Sequence, residues 1–169
     1  MASRKNSSRS NNTDDVTHAE RLIPGTSGVV TGGNSTKLGQ NLFESLGVNR
    51  TTKRTPYQAM HIIPKKLKNH PIIKKIGMDF DDASNGIFLR NRKSGGVSTM
   101  SRHQGNHDVY NDFIEDQLNK MDVNLSVDQL ERQVYNLQQK SKYLMEQGLP
   151  MYSKKDKASV DLWQRWFNK

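Results

Sequence analysis

Residues 57–77 read YQAMHIIPKKLKNHPIIKKIG, and the fold is decided by what this stretch forms. The apolar run Ala59 to Ile63 has the composition of a short strand. Pro64 closes it, because proline has no N–H to give a sheet. A short helix follows. Pro71 suits a first helical position, where its missing N–H costs nothing, and Gly77 suits the residue past the end. His70, directly before Pro71, reads as a cap or a surface residue. Downstream, DDASNGIFL (81–89) is a turn leading into a second short strand, Ile87 to Leu89. A Gly-containing basic loop, RNRKSGGVSTMS (90–101), separates it from HQGNHDVYN (103–111). From about Asp108, Val109, Tyr110, Phe113, Ile114, Leu118 and Met121 recur at helical spacing and predict a buried helix face.

The flanks are of two kinds. In LGQNLFESLGV (38–48) the stripe Leu38, Leu42, Phe43, Leu46 predicts a helix that Gly47 stops. Ahead of it, Ser, Thr, Asn and Gly make up 19 of the first 36 residues. Such a stretch buries too little surface to offset its ordering entropy and reads as a disordered tail. LIPGTSGVV (22–30), within it, has no period and reads as a tether. Past the Asp108 helix, Leu130, Val134, Leu137 and Leu144 predict a helix over about 127–147, capped by Ser126 and ended by Gly148. A last helix over about 157–167 carries Val160, Trp163 and Phe167. The expected division is a tail or linker over 1–37, a core over 38–122 and C-terminal helices packed on it over 123–169. The expected class is α+β.

Charge narrows the partner. The chain of 169 residues carries 26 Lys+Arg against 17 Asp+Glu, a formal +9. Residues 51–107 hold 11 basic and 3 acidic side chains, so most of the excess sits in the strand–helix–strand section and its loop. That concentration favours a polyanion, nucleic acid before membrane. There is no cysteine, which excludes disulfides, thiolate metal sites and Cys nucleophiles. No apolar run approaches the roughly 18 residues of a membrane span. MASRKNSSRSNN has basic residues but no apolar stretch behind them, unlike a Sec-type signal. A secreted protein with this N-terminus is expected to leave by a non-Sec route.

His103 and His107 form H-x-x-x-H, a spacing that brings two imidazoles toward one metal ion on a helix or across a turn leading into one. Taken alone the pattern is weak. Taken in order, the strand with His-Ile-Ile-Pro, the short helix, the Asn85-Gly-Ile-x-Leu strand, the basic loop, H-x-x-x-H and the amphipathic helix make a ββα-metal layout. The residues YQAMHIIPKKLKNHPIIKKIG, DDASNGIFL and HQGNHDVYN, with LMEQGLPMY (144–152) at the far end, resemble the AHH nucleases. These are toxin domains of the HNH/endonuclease VII superfamily (ββα-metal, or His-Me finger). The resemblance covers roughly residues 38–152.

The resemblance implies a ββα-metal nuclease core embedded in helices. It makes His61 the general base, and His103 and His107 ligands of one divalent metal ion, with Mg²⁺ first and Zn²⁺, Ni²⁺ or Mn²⁺ as alternatives. Asn85 stands where the superfamily has its central Asn, bracing the strands and orienting the base without reacting. One residue departs from the pattern. The family reads Ala-His-His, whereas Ala59-Met60-His61 stands here, and Met60 occupies the position of an expected ligand. A thioether is a poor partner for Mg²⁺. Either two histidines with water and phosphate hold the metal, or another side chain substitutes, or this copy is weakened or inactive. Lys65, Lys66, Lys68, Lys74, Lys75, Arg90, Arg92, Lys93 and Arg102 flank the motif and are expected to hold phosphates, which adds affinity and little sequence information.

The expected function is a metal-dependent, largely sequence-nonspecific DNA endonuclease, with RNA as an open alternative, acting as a bacterial toxin or effector. Its implied partners are a cognate immunity protein and a larger secretion or delivery protein. Its implied destination is the cytoplasm of a target cell, or otherwise its own. The competing reading is a nucleic-acid-binding module that keeps this scaffold and has lost catalysis.

Overall fold

The computed structural model describes residues 21–92, 96, 98–103 and 106–169. In chain order its elements are β1 (Val30–Thr31), α1 (Ser35–Ser45), β2 (Tyr57–His61), α2 (Pro71–Ile76), β3 (Met78–Asp79) and β4 (Gly86–Arg90), followed by four helices. These are α3 (Asp108–Asn119), α4 (Val127–Glu146), α5 (Ser153–Asp156) and α6 (Val160–Phe167). Short 3-10 turns lie at Lys65–Leu67 and Ala83–Asn85. The protein is α+β, a ββα core of β2, β4 and α3 set among helices. Among the described residues no helix is long and apolar enough to cross a membrane.

β2 and β4 form an antiparallel ribbon that pairs residue for residue from Tyr57↔Arg90 to His61↔Gly86. Side chains alternate across it. Ala59 meets Leu38 and Leu42 of α1. Met60 faces the other way, into the main core with Ile72, Ile73 and Ile76 of α2, Tyr110 and Phe113 of α3, and Val134 and Leu137 of α4. Trp163 of α6 is fully buried in the same core, and its indole N–H donates to the Pro150 carbonyl at 2.7 Å. Helices α4 and α6 therefore share one continuous core with the strands. A Cβ at Gly86 would stand 2.7 Å from Leu38 Cδ1, so a glycine there lets α1 lie close on the ribbon.

Order begins earlier than the sequence suggests. Residues 1–20 of the expected tail lie outside the described residues, but residues 21–37 are folded. Ile23 is 1% exposed, and β1 pairs in parallel with β3. The Arg21 guanidinium donates to the carbonyls of Ile76 and Gly77 at 3.0 and 2.7 Å and pairs with Glu131 at 3.3 Å. This strap is held by one apolar anchor and by polar contacts far away in sequence, which leave no periodic signal. Gly77, at φ +65°, is required beneath it, because a Cβ would fall 1.9 Å from the Thr26 carbonyl oxygen.

Other boundaries shift locally. The first strand is Tyr57–His61 rather than 59–63, and Ile62 and Ile63 are core residues beyond its end. Leu46, expected in the stripe of α1, caps that helix and is 67% exposed. The last helix starts at Val160, not near Lys157, because Ser159 caps it and Lys157 takes a left-handed conformation. His70 is the cap of α2: its ring accepts from the Ile72 N–H at 3.2 Å.

Asn85 bolts these parts together. It is fully buried, and its Oδ1 accepts from the Ile63 N–H at 2.8 Å and from Gln138 Nε2 at 3.0 Å. Its Nδ2 donates to the carbonyls of Ile63 and Phe80 at 3.3 and 3.2 Å. All four hydrogen-bonding capacities of the amide are thus used. Asn85→Ala strands buried partners, each costing about 1–3 kcal/mol. Urea unfolding is expected to show a loss of about 3 kcal/mol; unchanged stability would contradict this role.

Candidate active site

A cavity of about 690 Å³ opens where the ribbon meets the start of α3. Its wall includes Gln58, Met60 and His61 of β2, Lys65 and Lys66 of the following turn, and Arg54 from the chain leading into β2. Across from them stand His103, Asn106, His107 and Asn111. Three histidines singled out from the sequence, 46 residues apart in the chain at the widest, therefore share one space.

His61, 7% exposed, ends β2, and its Nε2 lies 2.9 Å from Asp81 Oδ1. Burial alone would raise the Asp81 carboxyl. Hydrogen bonds from His61 and from the backbone N–H groups of Gly33 and Asn34 outweigh it, and the carboxyl titrates below its ordinary value. An ionised carboxylate only accepts, so the proton between the two groups sits on His61 Nε2. In the neutral ring the lone pair is then on Nδ1, and that ring borders the cavity. Met60 is 1% exposed in the apolar core and forms part of the same wall. The strand end carries both residues with no bulge, since the register runs unbroken to His61↔Gly86.

His103 does not belong to a helix. It bridges Asn91 in parallel, as an extension beside β4, while His107 is the N-cap residue of α3. The two rings nevertheless lie 5.2 Å apart, centre to centre. His103 Nδ1 lies 2.8 Å from Gln58 Oε1. An amide oxygen only accepts, so Nδ1 carries the proton and Nε2 keeps its lone pair. His107 Nδ1 is buried with no hydrogen-bond partner among the described residues. Burial, then the neighbouring His107 and His61, push His103 down to about 4. Burial also pushes His107 down to about 4, although its own backbone, the Asn111 side chain and Asp108 favour the cation.

Two neutral imidazoles at this spacing fit a divalent ion. With metal–nitrogen bonds of about 2.1 Å, two rings on one tetrahedral ion have centres roughly 5 Å apart. The Gln58 contact is the outer partner that such a histidine generally has. Among the described residues, no three histidines or carboxylates form a group that could hold a metal.

The remaining expected residues divide. Asn85 lies outside the cavity wall, bonded as described above, and it reaches the end of the His61 strand through the backbone of residues 62–63. Of the basic residues, Lys65 and Lys66 border the cavity. Lys68 donates to the Gly32 carbonyl at 2.6 Å, and Lys75 to those of Val123 and Leu125, both at 2.7 Å. Arg92 pairs with Asp156 and stacks over Tyr152. Arg90 stacks over Tyr57 at 6.0 Å, Arg102 donates to the Asn91 carbonyl at 3.3 Å, and Lys74 is exposed on α2. Lys93 lies outside the described residues. Sequence reasoning missed Asp81, Arg54, Gln58 and Asn111. Strand alternation from Met60 points to Gln58, and continuing H-x-x-x-H by one turn reaches Asn111.

The family model for AHH, a nuclease family of the HNH/endonuclease VII superfamily with conserved AHH, matches residues 41–141. The chain belongs to this family. No curated protein and no solved structure matches it.

The histidine pair carries a pH signature. The unfolded chain protonates these rings near the ordinary value of about 6.5, the folded one only near 4. Between those values the unfolded state binds more protons, so acidification favours unfolding. In the metal-free protein, imidazole resonances followed by NMR should show two rings titrating near 4, with thermal stability falling from pH 6.5 toward 4. Titration of both rings near 6.5 would contradict their burial.

Proposed function

We propose that this AHH nuclease is a metal-dependent, largely sequence-nonspecific endonuclease that cleaves DNA. The observation that carries the reading is the one cavity bordered by His61, with its tautomer fixed by Asp81, and by the neutral pair His103 and His107. His61 Nδ1 takes a proton from the attacking water, a task suited to an imidazole at neutral pH. Asp81 holds the ring so that Nδ1, not Nε2, is the basic atom, and favours the imidazolium that forms. His103 and His107 hold the divalent ion, which supplies electrostatic stabilisation of the charge developing on the phosphodiester. Lys65, Lys66 and Arg54 border the same cavity and bind backbone phosphates. No described element reads as a base-reading helix, which favours low sequence specificity.

The resemblance to toxin domains extends the reading. Such an enzyme endangers the cell that makes it, so it acts as an antibacterial effector, reaches a target-cell cytoplasm as part of a delivery protein, and is held by an immunity protein. The wall with Arg54, Lys65 and Lys66 gives that partner a cationic surface to cover. Met60, where the family has histidine, favours the competing reading of a binding module without catalysis.

Digestion of supercoiled plasmid separates the two. With Mg²⁺ or Mn²⁺ the protein is expected to nick and linearise plasmid, and EDTA to stop it. His61→Ala should lose roughly 10²–10⁴-fold in rate with DNA and metal binding retained. Asp81→Asn should lower kcat with little change in KM. Plasmid that is bound and never cut, with any of the four metals, would leave the binding module.

A further inference from the structure

Resting on the metal-site reading above, we infer that Asn111 Oδ1 is the third protein donor of that site. It supplies the ligand that Met60 does not. Asn111 is 3% exposed on α3 and borders the cavity with His103 and His107. Its N–H donates to the His107 carbonyl at 3.1 Å, the ordinary helical bond, so the two side chains sit one turn apart on one face. Asn111 Nδ2 donates to Asn106 Oδ1 at 3.0 Å, which fixes the orientation of the amide. Oδ1 is left buried with no hydrogen-bond partner among the described residues, and so is His107 Nδ1.

His107 Nδ1 and Asn111 Oδ1 are close enough that the amide favours a protonated His107, yet neither atom has a hydrogen bond of ordinary geometry among the described residues. A buried polar group left unpaired destabilises the fold. A cation satisfies both at once. Carboxylates do not supply the missing donor, since no three histidines or carboxylates group for a metal among the described residues. Met60 is committed to the apolar core, and its thioether is a soft donor. An amide oxygen is a hard, neutral donor suited to Mg²⁺ or Mn²⁺, and beside two imidazoles it makes a three-donor set with positions left for water and phosphate.

The alternative role for Asn111 is structural, holding Asn106 through Nδ2. The two roles give opposite results in one variant. Asn111→Asp keeps an oxygen at the site and adds charge, but cannot donate to Asn106. Isothermal titration of the metal-free protein with Mn²⁺ is the readout, for the parent, His107→Ala, Asn111→Ala and Asn111→Asp. Thermal melts of the metal-free forms show that each is folded. Asn111→Ala is expected to weaken Mn²⁺ binding about 10-fold. Asn111→Asp is expected to tighten it by about 10-fold. Binding lost in His107→Ala but unchanged in both Asn111 variants overturns the Asn111 donor and keeps the metal site. Weakening in both Asn111 variants also overturns it, in favour of the tie to Asn106. A parent that binds no Mn²⁺, or a His107→Ala variant that binds as the parent does, overturns the metal-site reading itself.

Discussion

One carboxylate oxygen gathers three donors from two distant parts of the chain. Asp81 Oδ1 accepts the Gly33 and Asn34 N–H groups at 2.9 and 2.8 Å and lies 2.9 Å from His61 Nε2. The Asp81 carbonyl accepts from Asn41 Nδ2 at 2.7 Å, which adds α1 to the junction. A buried carboxylate is stable only when its charge is met by such bonds. Each of those partners therefore depends on the others. The strap ahead of α1 keeps Asp81 ionised, Asp81 fixes the His61 proton, and the proton decides which ring nitrogen is basic. Residues 21–40 lie before the region that the family model matches, yet they reach the atom on which the proposed chemistry turns.

The second constraint is the β2–β4 ribbon, which sets where the groups of the cavity stand. Its strand β2 carries Gln58, which holds His103, and His61, which ends the strand. β4 leads to Asn91, which bridges His103. His61, Gln58 and His103 thus refer to the same two strands, while His107 and Asn111 are set by the start of α3, and groups held on regular elements keep a narrower geometry than groups on loops. α1 covers one face of the ribbon and the main core the other. Asn85 closes the arrangement from below by joining residue 63, residue 80 and α4.

Much of this was legible in the sequence because it is periodic or punctuated. The stripes of α3 and α4, the Pro71 start and Gly77 stop of α2, and the Ser126 cap are local signals, and the chain obeys them. What was not legible is what long-range contact creates. β1 and β3 are two residues each, too short for a pattern, and exist because they pair with each other. Arg21 and Ile23 look like parts of a tether until Glu131 and the end of α2 are brought to them. Asp81 stood in a segment correctly read as a turn, and turn chemistry hid its second use. Several lysines and arginines read as phosphate contacts are spent on carbonyls, because a cation near a chain bend finds a carbonyl as readily as a phosphate. Met60 reads as a lost ligand when matched to its family and as core when its burial is considered.

The central claim is that His103 and His107 share one ion while His61 stands beside it uncoordinated. Crystals soaked in Mn²⁺, with diffraction recorded at a wavelength where manganese scatters anomalously, test it most directly. The account predicts one strong anomalous peak bonded to nitrogens of His103 and His107, at about 2.0–2.3 Å, with His61 still bonded to Asp81. A peak coordinated by His61, or strong peaks only at other places on the protein, would contradict it.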